Sequence, residues 1–351
     1  MLTRSEEALT GIYQGLCPLT RSRRRDLGIT RKEAVSADNG LMIEQELLER
    51  LPLAQRLAEL RARVQAIPLH RVKLEGLNIA GAESCWAAYR EWGDGIPLLF
   101  LHGFMATHAN WWPLMQGLGG EYRCIALDLL GFGQSGQPAL RYDIGTEVEF
   151  VRGFVQTLGL SAPVLVGHSF GGWVAAAYAV RYPLRGLVLL APAGIRDDSF
   201  VKRYRHLQPL LWESAWVDWL LRAITPLARW WHWEDKLAQL LWLRGSLRQQ
   251  PVARQFLRQR LRPQDAVDTV ERYLKHIQAP TLVVAAEQDD TIPLWHCQTY
   301  AEGIPGAQLK ILPGAGHAIP ALHGEQVLPL IREFLDAAFS KCYPNVMGVP
   351  R

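Results

Sequence analysis

Most of the features that assign a protein by composition alone are scarce in this 351-residue chain. There are only five cysteines, Cys17, Cys85, Cys124, Cys297 and Cys342, odd in number and widely spaced. No CxxC pair or metal-ligand spacing occurs. That argues against a disulfide framework or a zinc module, and for reduced thiols in a reducing compartment. Neither sign of charge dominates: 38 Lys and Arg against 34 Asp and Glu leave +4. A dedicated nucleic-acid binder concentrates basic residues far more, so no nucleic-acid partner is expected. Long apolar runs are missing too; the longest are about 6–9 residues, against ~20 for a spanning helix. The opening MLTRSEEALTGIYQ has no continuous apolar core after a basic start and makes a poor secretory signal. These absences predict a cytoplasmic protein, with attachment to a membrane surface left open.

What is present is apolar material, 49% of the chain, which suffices for a sizeable core. Residues 1–68 read as an N-terminal helical extension. TRSRRRDLGITRK (20–32) is basic and exposed in character. Leu47, Leu48, Leu51, Leu53, Leu57, Leu60 and Val64 follow a near-helical period broken at Pro52. From residue 70 the pattern becomes strand-like. HRVKLEGLNIA and SCWAAYREWG form an early pair, followed by short apolar runs at 97–103, 122–131, 162–169, 186–192, 280–289 and 307–317. Helical segments at 145–159, 171–181, 294–302 and 324–339 separate most of them. Such alternation predicts an α/β fold: a mostly parallel, twisted central sheet with helices on both faces. Residues 196–275 break the rhythm and read as an all-helical insertion, with a short tail at 343–351. The core is then 69–195 together with 276–342.

The strongest local signal is Gly167-His168-Ser169-Phe170-Gly171-Gly172, between an apolar strand and a good helix sequence. A serine on a sharp strand-to-helix turn projects its hydroxyl from the sheet edge, beside the positive end of a helix. Serine alone is a poor nucleophile near neutral pH and needs a base, which needs an orienting acid. His317, in LPGAGHAIP, follows the last strand on a flexible Gly-Ala-Gly approach. Asp289, in EQDDTIP, is the favoured acid; its neighbour Asp290 is the alternative, and Asp197 or Asp198 a less favoured source.

LFLHGF (99–104), ALDLLGFGQSG (126–136), VGHSFGG (166–172) and GAGH (314–317) after EQDDTIP (287–293) appear in an order that resembles the α/β-hydrolase superfamily. The likeness is to its capped serine esterase and C–C hydrolase-like branch, and it spans residues 97–340. It implies the chain order Ser169, Asp289, His317, an oxyanion hole from the backbone N–H groups of Phe104 and Phe170, and no metal or organic cofactor. It also implies that the insertion forms a cap over the serine. Asp128 reads as a structural residue pinning a glycine turn.

The insertion contains seven of the thirteen tryptophans, among them Trp212, Trp216 and Trp219 on one helix face, and is rich in arginine. The tryptophans read either as the cap's own small core or as an apolar pocket or membrane-facing surface. Substrate contacts are expected from Trp111, Trp112 and His168 in the core and from Trp212 and Trp216 in the insertion. The expected partner is a small apolar acyl substrate, with peripheral membrane contact through the insertion as a further expectation. The leading expectation is a serine hydrolase cleaving an ester or related acyl bond. C–C hydrolysis, perhydrolysis or acyl transfer by the same triad, and a non-catalytic ligand-binding protein on a hydrolase scaffold, are the alternatives. A dehalogenase or epoxide hydrolase of this fold is expected to carry Asp where Ser169 stands.

Overall fold

A computed structural model describes residues 59–60, 62–197 and 268–340, together with 199, 214–224 and scattered positions from 233 to 255. The expectations for residues 1–58, Cys17, Cys342, Trp212 and the tail 343–351 lie outside the described residues. So do those for most of the insertion's arginines.

Eight strands form one sheet: β1 (His70–Glu75), β2 (Ser84–Trp92), β3 (Ile96–Leu101), β4 (Tyr122–Leu127), β5 (Val164–His168), β6 (Gly186–Leu190), β7 (Thr281–Ala286) and β8 (Gln308–Leu312). Their order is β1-β2-β4-β3-β5-β6-β7-β8. β2 pairs antiparallel with β1 and with β4, while every pair from β4 through β8 is parallel. The helices that bear on the site are α1 (Trp112–Leu118), α2 (Ile144–Thr157), α3 (Phe170–Ala179), α4 (Ala215–Ala223), α5 (Leu294–Gly303), the short α6 (Ile319–Leu322) and α7 (Gly324–Ser340).

Period-two patterning explains why the central strands are apolar throughout. Leu99 and Leu101 of β3, Leu187 and Leu189 of β6, and Val283 and Ala285 of β7 face one cluster with α2, α3 and α5. Leu98, Phe100, Val188, Leu190, Leu282 and Val284 face a second cluster with α1 and α7. Leu60, Val64 and Ile67 are buried in this second cluster. Val217, Leu237, Leu247 and Val252 of the insertion join the first.

Trp111 and Trp112 are placed differently from expectation. Trp111 is fully buried against Phe100, and Trp112 packs edge-on to Trp92, both in the second cluster. The reason is an unanticipated helix: Pro113 sits in the first turn of α1, where its missing N–H costs nothing, and the helix turns both indoles into the core.

Candidate active site

The ends of β3, β5, β6, β7 and β8 meet around Ser169 and its partners. The serine directly follows β5 with φ 51° and ψ −114°, a strained conformation for a residue with a side chain. Two backbone bonds hold the turn: Ser169 N–H donates to the Leu190 carbonyl and Ala193 N–H to the Ser169 carbonyl, each 3.0 Å. A Cβ on Gly167 would strike the Gly171 carbonyl, and one on Gly171 would strike the Leu101 carbonyl, so strand and helix close only because both are glycine. Met105 and Ala191, at the ends of the neighbouring strands, also have positive φ. Strain thus gathers around the serine.

Ser169 Oγ lies 3.0 Å from His317 Nε2, and His317 Nδ1 lies 2.7 Å from Asp289 Oδ2. Ser169 and His317 are buried, and the side chains of His317 and Asp289 are each only 1% exposed. Asp289 Oδ1 accepts from the Thr291 and Ile292 N–H groups at 2.9 and 2.8 Å, which fixes the carboxylate so that Oδ2 faces the imidazole. The acid and base loops are tied together. Gln288 N–H donates to the Ala315 carbonyl at 2.8 Å, and Gly314 N–H to Glu287 Oε2 at 2.8 Å. In this arrangement the imidazole can take the serine proton and the carboxylate can stabilise the resulting charge. Among the described residues, Asp289 is the candidate acid that meets His317; Asp198 lies outside them. Asp197 instead accepts from Ser199 and lies 3.7 Å from His296.

His168, expected to touch substrate, sits behind the base. Its Nε2–H donates to the His317 carbonyl at 2.8 Å, and the two rings lie 4.9 Å apart. Burial, reinforced by the adjacent His317, drives its pKa well below the usual histidine value, so it is neutral. His102 is also buried and its pKa lowered chiefly by burial. Nδ1–H donates to the Gly103 carbonyl, and Nε2 accepts the Leu129 N–H at 3.0 Å. Asp128 is wholly buried, which by itself would raise its pKa. The hydrogen-bonded His108 and the Gln134 N–H outweigh that and leave it lowered. His108 Nε2 in turn accepts from Arg90 Nε at 2.9 Å. This buried chain shapes the loop after β4 without meeting the serine, in keeping with the structural reading of Asp128.

Phe170 opens α3, and Phe104 follows the His102-Gly103 turn after β3. Their rings stand 6.0 Å apart. Phe132 packs 5.8 Å from Phe104 and 6.0 Å from Phe170, and Trp173 lies 6.4 Å from Phe170. Four aromatic rings therefore pack together around Phe170, the residue that follows Ser169. Phe132 and Trp173 were not among the expected contacts. Trp173 is one helical turn beyond Ser169, and that spacing is the signal that could have found it. Trp216 is 52% exposed on α4. Arg244 of the insertion is buried and donates to the Ser214 carbonyl at 2.8 Å.

Comparison with known proteins agrees with this architecture. The chain is 30% identical over 268 residues to the 2-hydroxymuconate semialdehyde hydrolase of Pseudomonas sp. (strain CF600), covering 70% of this chain and 89% of the relative. It is 27% identical over 270 residues to monoacylglycerol lipase abhd6-A of Xenopus laevis, covering 72% and 79%. Among solved structures, a thermophilic esterase from Thermogutta terrifontis matches with a TM-score of 0.60 and 25% identity over 77% of this chain and 99% of the esterase. A membrane phospholipase A shares the fold at a TM-score of 0.62 and 24% identity, covering 90% and 99%. The profile described as the alpha/beta hydrolase family fits residues 98–330, about two thirds of the sequence, so the chain belongs to that family and is a hydrolytic enzyme.

Proposed function

We propose that the protein hydrolyses carboxylic esters, or related acyl bonds, of apolar substrates through Ser169, His317 and Asp289. The observation that carries this reading is the buried, hydrogen-bonded run from Asp289 through His317 to the Ser169 hydroxyl. His317 takes the proton as Ser169 Oγ attacks the carbonyl carbon. The tetrahedral oxyanion is met by the Phe104 and Phe170 N–H groups, the second of them at a helix N-terminus. His317 then returns the proton to the leaving alcohol, and water repeats the sequence on the acyl-enzyme. The cluster of Phe104, Phe132, Phe170 and Trp173 suits an apolar acyl group. The insertion serves as a cap, with Trp216 on it. No cofactor is called for by this route.

Ser169→Ala tests the reading. Turnover of p-nitrophenyl esters and labelling by a fluorophosphonate should both disappear while the fold persists. Full activity in the variant would end the proposal. C–C bond hydrolysis by the same residues is a second reading. It is favoured by the two Pseudomonas relatives, 30% and 32% identical, named as 2-hydroxymuconate semialdehyde hydrolases. Assaying esters and a ring-cleavage semialdehyde side by side separates the two by their kcat/KM.

A further inference from the structure

We propose that α4 is the docking face of the protein for an anionic lipid bilayer, so that the enzyme works with the insertion against a membrane surface. This adds a partner to the acyl-hydrolase reading and rests on that reading only for the origin of the substrate.

The helix AWVDWLLRA places Trp216, Trp219, Leu220 and, just past its end, Ile224 at spacings that share one side. That side is open to solvent. Trp219 is 71% exposed, Trp216 52%, Leu220 44% and Ile224 39%. The helix is anchored along the edge of that side: Val217 is buried in the cluster that contains Phe170 and Trp173, and the buried Arg244 holds the Ser214 carbonyl just before the helix. α4 is therefore fixed to the body on the side of the serine and turns indoles outward. Contiguous exposed apolar surface of this kind marks an interaction site rather than ordinary solvated surface. Indole, with an apolar body and a polar N–H, suits the depth of lipid headgroups.

Charge selects the occupant. Residues 196–275 hold fifteen Lys and Arg against nine Asp and Glu, whereas the rest of the chain is slightly acidic. An anionic leaflet attracts this region first. A second copy would bring two positive insertions together. The N-terminal stretch TRSRRRDLGITRK is itself basic and equally unsuited to cover the face. A bilayer of anionic lipid satisfies both the apolar face and the charge.

The test uses the full chain carrying Ser169→Ala, so that binding is read without hydrolysis. It is sedimented with vesicles of phosphatidylcholine, with and without about one third phosphatidylglycerol. The protein should pellet with the phosphatidylglycerol vesicles, and the bound fraction should fall as salt screens the attraction. Adding Trp219→Ser, Leu220→Ser and Ile224→Ser should weaken binding by about tenfold or more. The same three changes in the Ser169 protein should leave turnover of a soluble short-chain ester unaltered. No pelleting, equal pelleting with pure phosphatidylcholine, or undiminished binding by the triple variant would overturn the proposal. So would a dimer that the triple variant dissociates, because a second copy would then own the face. Loss of short-chain ester turnover in the triple variant would also overturn the proposal, whereas absence of ester turnover in the unsubstituted protein would count against the hydrolase reading and leave the binding result standing.

Discussion

At the scale of single residues, two adjacent carboxylates follow β7, and only their environment distinguishes them. Asp289 Oδ1 is held by two backbone N–H groups, which aims Oδ2 at His317. Asp290 Oδ1 accepts from the Thr291 hydroxyl at 3.4 Å. Asp289→Asn should therefore cut kcat by about four orders of magnitude, through loss of the imidazolium partner and of the required tautomer. Asp290→Asn should leave kcat close to that of the wild type. Steady-state kinetics on both variants checks the assignment. His168 acts at one remove, by holding the carbonyl of the base. His168→Phe removes one of the two donors to that carbonyl, which keeps the Ile319 N–H at 2.8 Å, a loss of about 1 kcal/mol for one buried hydrogen bond. The expected outcome is a lower Tm and a reduced kcat with KM little changed, partly rescued by His168→Asn. Sequence pattern gave each of Ser169, His317 and Asp289 as a candidate, because a nucleophile turn, a strand-end histidine and a strand-end carboxylate each leave a local trace. What His168 does left none: its partner is 149 positions away in the chain.

At the scale of elements, the strands and the long helices were legible because their apolar periods are long and uninterrupted. The helices expected at 145–159, 171–181 and 324–339 correspond to α2, α3 and α7 within two residues at either end. α1 was not legible. Its Trp-Trp-Pro start resembled a strand-end loop lined with aromatics, and only the pairing of Trp111 with Phe100 and of Trp112 with Trp92 reveals a packing helix. The turn between β5 and α3 carries the tightest local requirement in the fold. A methyl on Gly171 collides with the backbone of β3 rather than with a movable side chain. Gly171→Ala should force strand and helix apart, lowering stability by several kcal/mol, at the severe end for a single substitution. It should also abolish fluorophosphonate labelling even in the fraction that remains folded. Chemical denaturation and probe labelling of the same preparation measure both effects.

At the scale of the whole molecule, buried ionisable groups set the pH range over which the fold holds. His168 and His102 are buried with pKa values held below the ordinary 6.5, mainly by desolvation. The unfolded chain therefore takes up protons first, and the stability these neutral imidazoles contribute is present above about pH 6.5 and is lost on acidification. Glu147 works in the opposite direction. Its carboxyl on α2 is buried, and that burial raises its pKa well above 4.5. Asp143 adds to the rise, and the 3.2 Å bond from Leu130 N–H only partly offsets it. Here the native state holds the proton longer, so the stability associated with neutral Glu147 is present below pH 4.5 and is lost as pH rises through its elevated native value. Glu147→Gln preserves the shape and an acceptor for Leu130 while removing the charge. It should leave stability near pH 4 almost unchanged and raise Tm increasingly toward neutral and alkaline pH, flattening that limb of the profile. The acid limb, governed by the two histidines, should be unaffected. Thermal melts of both proteins from acid to mildly alkaline pH read the two limbs separately, and an equal change in Tm at every pH would show that Glu147 is not the group responsible.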